Sequence, residues 1–126
     1  TKEAVAKHPD SAFAAFAVTQ KRITGKTVFD AEKTSDPVAH EVVREYIHYL
    51  AVGIANLINI FFPEVIGLSG GVANQGKALL EPLRKEVDSM VFGNSFAKKH
   101  TKIVACTLGY QAGMIGAALL AKQNDQ

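Results

Sequence analysis

A chain of 126 residues, 48% hydrophobic and 8% aromatic, is long and apolar enough for one globular domain with its own core, which excludes a disordered tail. Fourteen Lys and Arg against twelve Asp and Glu leave a formal charge of only +2, so nothing marks an electrostatic nucleic-acid surface, and a pI of about 8.7 adds little. The single cysteine, Cys106, excludes an intrachain disulfide and a cysteine-cluster zinc site and fits a reducing compartment, with the cytoplasm as the expected location.

No basic-then-apolar leader opens the chain. Its longest apolar run, from Leu50 to Phe62, is interrupted by Asn56 and Asn59 and is too short to span a bilayer, so it reads as a buried helix and no membrane partner is expected. The sequence starts at Thr1 without an initiator Met, which leads us to expect a piece of something longer.

In "HPDSAFAAFAVTQ", Asp10 or Ser11 can cap a short helix to about Gln20, with Phe13, Phe16 and Ala17 at helical spacing. Thr24 is a second possible cap, for a brief helix from Lys26 to Lys33; residues 1–35 together read as a helical lead-in. Asp36-Pro37 is a strong start signal, since the carboxylate accepts from free amides and Pro at the first helical position loses no needed donor. From there Val38, Val42, Tyr46, Leu50, Ile54, Leu57, Ile58 and Phe61 mark one face of the longest helix, which Pro63 stops. Glu41, Arg44, Glu45 and His48 keep its first half wet, whereas the second half is apolar nearly all round and is expected to drive into the core.

"EVIGL" and "KIVACT" read as strands buried on both faces. The helix "GKALLEPLRKEVDSM" between them turns Leu79, Leu80, Leu83, Val87 and Met90 inward, with Pro82 near its first turns. A last helix, "QAGMIGAALLAKQ", carries small residues that permit close packing, and residues 123–126 form a fraying tail. Strand, helix, strand, helix is a βαβ unit with an expected right-handed crossover, in an α/β domain spanning residues 36–122. Two strands are too few for a stable open sheet, so missing strands and self-association through bare edges are expected.

The stretch "SGGVANQGKALLEPL" is where chemistry is concentrated. From Gly71 it spells G-V-A-N-Q-G-K-A, one residue short of the phosphate-cradling G-x-x-x-x-G-K-[ST]. The missing residue is the hydroxyl that would hold magnesium: Ala78 offers a methyl, which cannot coordinate a metal ion. The dinucleotide pattern G-x-G-x-x-G fails because Gly67, Gly70, Gly71 and Gly76 are wrongly spaced. Two readings of the Gly70-Gly71 pair then stand side by side. A double glycine at the carboxyl end of a strand lets a ligand reach backbone amides without a Cβ in the way, or it is simply a tight turn needing positive φ.

Other polar groups read as structure or surface. His40 and His48, eight apart with Arg44 between them, are expected in solvent, as are His8, His100 and the basic cluster Lys98 to Lys102. Cys106, inside an apolar strand without a neighbouring base, is expected to be a packed thiol. Asn56 and Asn59 are expected buried, either bracing the double-glycine turn or making helix–helix contacts.

The run from "TGKTVFDAEKTSDP" through "LINIFFPEVIGLSGGVANQGKALLEPLR" to "KIVACTLGYQAGMIGAALLA", about Thr24 to Ala121, resembles the C-terminal part of bacterial glucokinases of the ROK family, a group of sugar kinases and sugar-responsive repressors. The resemblance implies an incomplete actin-like, ribonuclease-H-like α/β kinase domain, with glucose in an interdomain cleft and ATP with magnesium as the phosphoryl donor. It implies that Gly70, Gly71 and Val72, with Asn74 and Gln75 as weaker neighbours, form part of the adenosine-binding wall, leaving Lys77 an ordinary surface lysine. Ser69 stands where a third Gly is usual, Phe62 where an Asn is, and "LGYQAG" puts Tyr110 and Gln111 where the family has Asn and Asp. The family's D-x-G-G-T phosphate motif, its Asn-Asp segment with the catalytic base and its His-plus-Cys zinc motif appear nowhere in this sequence. The resemblance therefore implies no catalytic residue and no zinc ligand here, within a parent that is a sugar kinase; the alternative is the effector-binding part of a ROK-type repressor.

Overall fold

The computed structural model describes residues 2–19, 25–33, 35–93, 96, 100–108 and 111–124. In chain order they form α1 (Lys2–Lys7), α2 (Ala12–Thr19), α3 (Gly25–Glu32), α4 (Pro37–Phe61), β1 (Val65–Leu68), a 3-10 turn (Ala73–Gln75), α5 (Lys77–Met90), β2 (Lys102–Ala105) and α6 (Ala112–Asn124). β1 and β2 pair in parallel, from Val65 opposite Lys102 to Leu68 opposite Ala105, with α5 as the crossover of the expected βαβ unit. The fold is helix-rich with a small parallel sheet.

Helix starts follow from the need to satisfy free N–H groups. Of the two candidates before α2, Ser11 is the cap: its Oγ accepts from Ala14 N–H at 3.1 Å. Asp36 does more than expected. One carboxylate oxygen accepts from Ala39 N–H at 2.8 Å and caps α4, and the other accepts from Phe13 N–H at 2.9 Å in the first turn of α2. The side chain is 4% exposed, and α4 opens on Pro37 as the sequence indicates. At the far end Phe62 adopts φ +44°, donates its N–H to Ile58 C=O at 2.8 Å and hands the chain to Pro63. Thr24, Gln20, Lys98, Lys99, Tyr110 and residues 125–126 lie outside the described residues, as does the side chain of Phe16.

The buried face of α4 keeps Ile54 and Ile58 of the expected one and otherwise differs from it. Ala39, Val43, Ile47, Ala51, Ile54, Ala55 and Ile58 face the core, whereas Val38, Val42 and Leu50 sit at its margin and Tyr46, Leu57 and Phe61 are exposed. Two apolar stripes run along this helix at the same spacing. The one containing three alanines turns inward, because small side chains let neighbouring helices approach closely. Tyr46 stays at the rim, its ring edge-on to Phe29 at 6.4 Å between centroids. The C-terminal half of α4 is not engulfed either, with Ile60 and Phe61 each 71% exposed.

Leu79, Leu83 and Val87 of α5 are fully buried against α4, with Leu80 and Met90 packed at the border, as the helical spacing indicates. The strands are covered on one side only. Ile66, Leu68 and Ile103 join the core, while Val65, Gly67 and Val104 are exposed on the opposite face, which corrects the expectation of burial on both. The last helix is likewise bare: Met114, Leu119 and Leu120 are exposed, and its helical conformation continues through Gln123 to Asn124, where a frayed tail was expected.

Candidate functional site

All five expected site residues fall in one loop, Ser69 to Gly76, joining the carboxyl end of β1 to the first turn of α5. Gly70 has φ +94°, a conformation glycine adopts without strain, so the tight-turn reading is correct for that position. Gly71 is different. It has no positive φ, and a Cβ built on it would meet nothing within 4 Å, so neither backbone strain nor local packing within this chain calls for glycine there. Its exposed backbone leaves room for close approach from outside.

The rest of the loop is held from beneath. Val72, in the right-handed helical region, packs against the core, and Ala73 is buried and pins the 3-10 turn. Gln75 N–H donates to Val72 C=O at 3.0 Å and Gly76 N–H to Ala73 C=O at 3.2 Å. Gly76, at φ +58° and ψ −124°, occupies a region almost closed to other residues, and its carbonyl accepts from Leu79 and Leu80 N–H to begin α5. Asn74 is exposed and Gln75 half-buried at the rim. Lys77 and Ala78 are exposed on the first turn of α5, consistent with a surface lysine.

The carboxyl end of β2 borders the same corner. Cys106 N–H donates to Leu68 C=O at 2.7 Å, which continues the pairing to the edge of the loop, and Cys106, Thr107 and Leu108 are exposed there. Cys106 is thus not the packed thiol expected: it lies just past the strand, over Gly67, where a Cβ would stand 2.8 Å from its sulfur. Ligands of open α/β sheets bind outside the carboxyl ends of parallel strands, the place these two loops occupy. No Asp or Glu occurs between Val65 and Leu80, so the corner can flank an uncharged nucleoside face but offers no carboxylate to magnesium. Among the described residues no group of three or more His, Cys, Asp or Glu could hold a metal ion.

The asparagines do not brace this corner. Asn56 and Asn59 are exposed, and Asn59 instead fastens the end of α5, accepting from Phe92 N–H at 2.9 Å and donating to Met90 C=O at 3.5 Å. The histidines are exposed as expected: His48 bridges to Glu86 of α5 at 2.6 Å and His40 to Glu32 of α3 at 3.2 Å, while His8 and His100 are also at the surface. A groove of about 670 Å³ between α1 and α4, lined by Glu3, Lys7, Arg44 and His48 among others, lies away from the corner; its mixed charges and width suit solvent. Sequence reasoning missed Arg84, whose Nε and Nη2 donate to Ile103 C=O at 3.0 and 2.6 Å. No local signal separates it from the other charged residues on the outer face of α5. Among the described residues no helix is long and apolar enough to cross a membrane.

The profile of the ROK family matches residues 3–124. A glucokinase of Halalkalibacterium halodurans is 35% identical over 123 residues, covering 98% of this chain and 37% of its own length. A ROK family glucokinase from Streptomyces griseus, crystallised in complex with glucose and AMPPNP, superposes with a TM-score of 0.81 at 31% identity, over 97% of this chain and 40% of that one. A ROK family transcriptional regulator, a homologue of the E. coli MLC protein, superposes with a TM-score of 0.70 at 29% identity, over 96% of this chain and 30% of that one. The chain therefore spans about two fifths or less of the length of these relatives.

Proposed function

The chain belongs to the ROK family, and from that premise we propose that it is the C-terminal part of an ATP-dependent glucokinase and supplies one wall of the adenosine site. The observation that carries this reading is the open backbone at Gly71, in the loop that leaves the carboxyl end of β1 and is supported by Val72 and Ala73. In this reading Gly70, Gly71 and Val72 flank the nucleoside of an actin-like kinase, Asn74 and Gln75 stand at its rim, and glucose and ATP are the parent's substrates. The superposition on a glucokinase that holds glucose and AMPPNP supports it.

The same chemistry limits what these 126 residues do alone. Phosphoryl transfer requires a base to take the sugar hydroxyl proton and a magnesium-bound phosphate platform. The corner provides neither, so the isolated chain binds adenine nucleotides weakly and transfers no phosphoryl group. Magnesium and any structural zinc would be held by other parts of the parent, which we place in the cytoplasm.

The test is Gly71→Val in the parent kinase. Its Cβ meets nothing in this chain, so folding is spared while the isopropyl group enters the space given to the nucleoside. We expect KM for ATP to rise about tenfold, equivalent to about 1.4 kcal/mol of lost contact, with KM for glucose unchanged. An unaltered KM for ATP refutes the assignment. The overlay on a transcriptional regulator favours a second reading, a sugar-sensing domain of a repressor. A DNA-binding helix-turn-helix in the parent, with no phosphate motif, would decide for it.

A further inference from the structure

We propose, building on the adenosine assignment, that Arg84 is a positioning residue for the nucleotide corner: by fastening α5 to β2 it fixes the opening between the Gly70–Val72 turn and the Cys106–Leu108 loop. Arg84 itself stands away from the corner and acts on it through the helix.

From Val72 into α5 the backbone is one continuous hydrogen-bonded rod. Gln75 N–H donates to Val72 C=O, Gly76 N–H to Ala73 C=O, and Leu79 and Leu80 N–H to Gly76 C=O, all between 2.9 and 3.2 Å. The helix runs on from there to Met90. Before Val72 stand Gly70 and Gly71, which have no side chain to pack, and a Cβ on either would meet nothing within 4 Å. Any sliding or turning of α5 is therefore carried to Val72 and taken up at the two glycines, the residues assigned to the nucleoside.

The supports of α5 differ from side to side. Leu79, Leu83 and Val87 pack into the core with Ile103 and α4, a contact that resists separation but has no direction. Asn59 of α4 fastens the far end by accepting from Phe92 N–H at 2.9 Å, and His48 of α4 meets Glu86 at 2.6 Å. Those polar ties lead to α4. Arg84 supplies one to the sheet, where its Nε and Nη2 donate to Ile103 C=O at 3.0 and 2.6 Å. The parallel register directs the N–H groups of Lys102 and Cys106 at β1, so the Ile103 carbonyl points away from β1 and is free to accept from a side chain.

A guanidinium is planar, and two of its N–H groups on one carbonyl fix direction as well as distance. Past Ile103 the strand leads straight to Cys106, whose N–H donates to Leu68 C=O at 2.7 Å at the edge of the corner. One side of the corner is borne by α5 and the other by β2. A directional bond between them sets the gap that a nucleoside enters.

Steady-state kinetics of Arg84→Met and Arg84→Lys in the parent kinase, beside Gly71→Val, test this. Both replacements keep a long aliphatic stem and good helix propensity at an exposed position, so the fold is retained. Arg84→Met removes both donors, and KM for ATP is expected to rise about three- to tenfold while KM for glucose and the circular dichroism spectrum stay unchanged. Arg84→Lys keeps the charge without the planar fork and is expected to leave KM for ATP about twofold or more above wild type. Deuterium uptake by the segment 69–76 of the nucleotide-free enzyme is expected to quicken in Arg84→Met, a readout independent of turnover. An unchanged KM for ATP, an equal rise in KM for glucose, or unchanged exchange at 69–76 overturns the proposal and leaves Arg84 a tie for stability alone. So does an Arg84→Lys variant equal to wild type, because charge rather than geometry would then be the cause. If Gly71→Val raises KM for ATP and Arg84→Met does not, the adenosine assignment stands and the role of Arg84 falls. If Gly71→Val leaves KM for ATP unaltered, the assignment falls and the role of Arg84 with it.

Discussion

Asp36 joins two helices with one carboxylate, and removing it should destabilise the chain more than the loss of an ordinary cap. Truncation to Ala deletes the bonds to Ala39 N–H and Phe13 N–H together. An N-cap is worth about 1 kcal/mol, within a range of about 0.5–2, and hydrogen bonds to a charged group about 1.5–3. The desolvation of a carboxylate that is 4% exposed offsets part of this, so the net cost of Asp36→Ala is about 2–4 kcal/mol. Against a total of roughly 5–15 kcal/mol, that is a large fraction of the stability. Asp36→Asn has a single acceptor oxygen and can serve one helix but not both, so it should cost about half as much.

The same carboxylate makes stability depend on pH. Burial pushes its pKa up, but the backbone N–H groups of Ala39, Phe13, Val38 and Ala12 outweigh burial and hold it below the usual value. A depressed folded pKa stabilises the native state above the unfolded value of about 3.9, and that contribution disappears as pH falls through the lower folded value. Urea unfolding of wild type and both variants at pH 7 and pH 3 measures these quantities. The expected order at pH 7 is wild type, Asn, Ala, with the differences shrinking in acid. An Ala variant within roughly 0.5 kcal/mol of wild type, the scatter of surface substitutions, would refute the two-helix joint.

Three further outcomes follow from the packing. Ile47→Ala, on the buried stripe of α4, should cost about 2–4 kcal/mol in urea unfolding, whereas Tyr46→Ala, on the adjacent exposed stripe, should cost about 1 or less. The exposed Cys106 thiol should react with a disulfide reagent in the native protein without prior unfolding; protection until denaturant is added would contradict its position. Asn59→Ala should loosen the end of α5, seen as faster exchange of the Phe92 amide, and should leave the amides of the Gly70–Val72 corner unchanged.

The start of α4 at Asp36-Pro37, its stop before Pro63, the Lys77–Met90 helix with Leu79, Leu83 and Val87 inward, and the loop that gathers the candidate site residues were all legible in the sequence. Each depends on interactions within a few residues: a capping acceptor, a missing donor, a helical period or a glycine φ. The resemblance carried by "SGGVANQG" and "LLEPLR" likewise requires only order along the chain.

Tertiary structure alone decided the rest. Which of two equally spaced stripes of α4 turns inward depends on how closely α5 can approach, and three alanines settled it. Asp36 reaching across to α2, Asn59 turning to Phe92 instead of the glycine corner, and Arg84 sealing the Ile103 carbonyl are bonds between residues 19 to 33 positions apart. A short motif holds no record of such partners. The one-sided burial of β1 and β2 has the same origin, because apolar composition states what a strand can bury while the surrounding elements determine what it does bury.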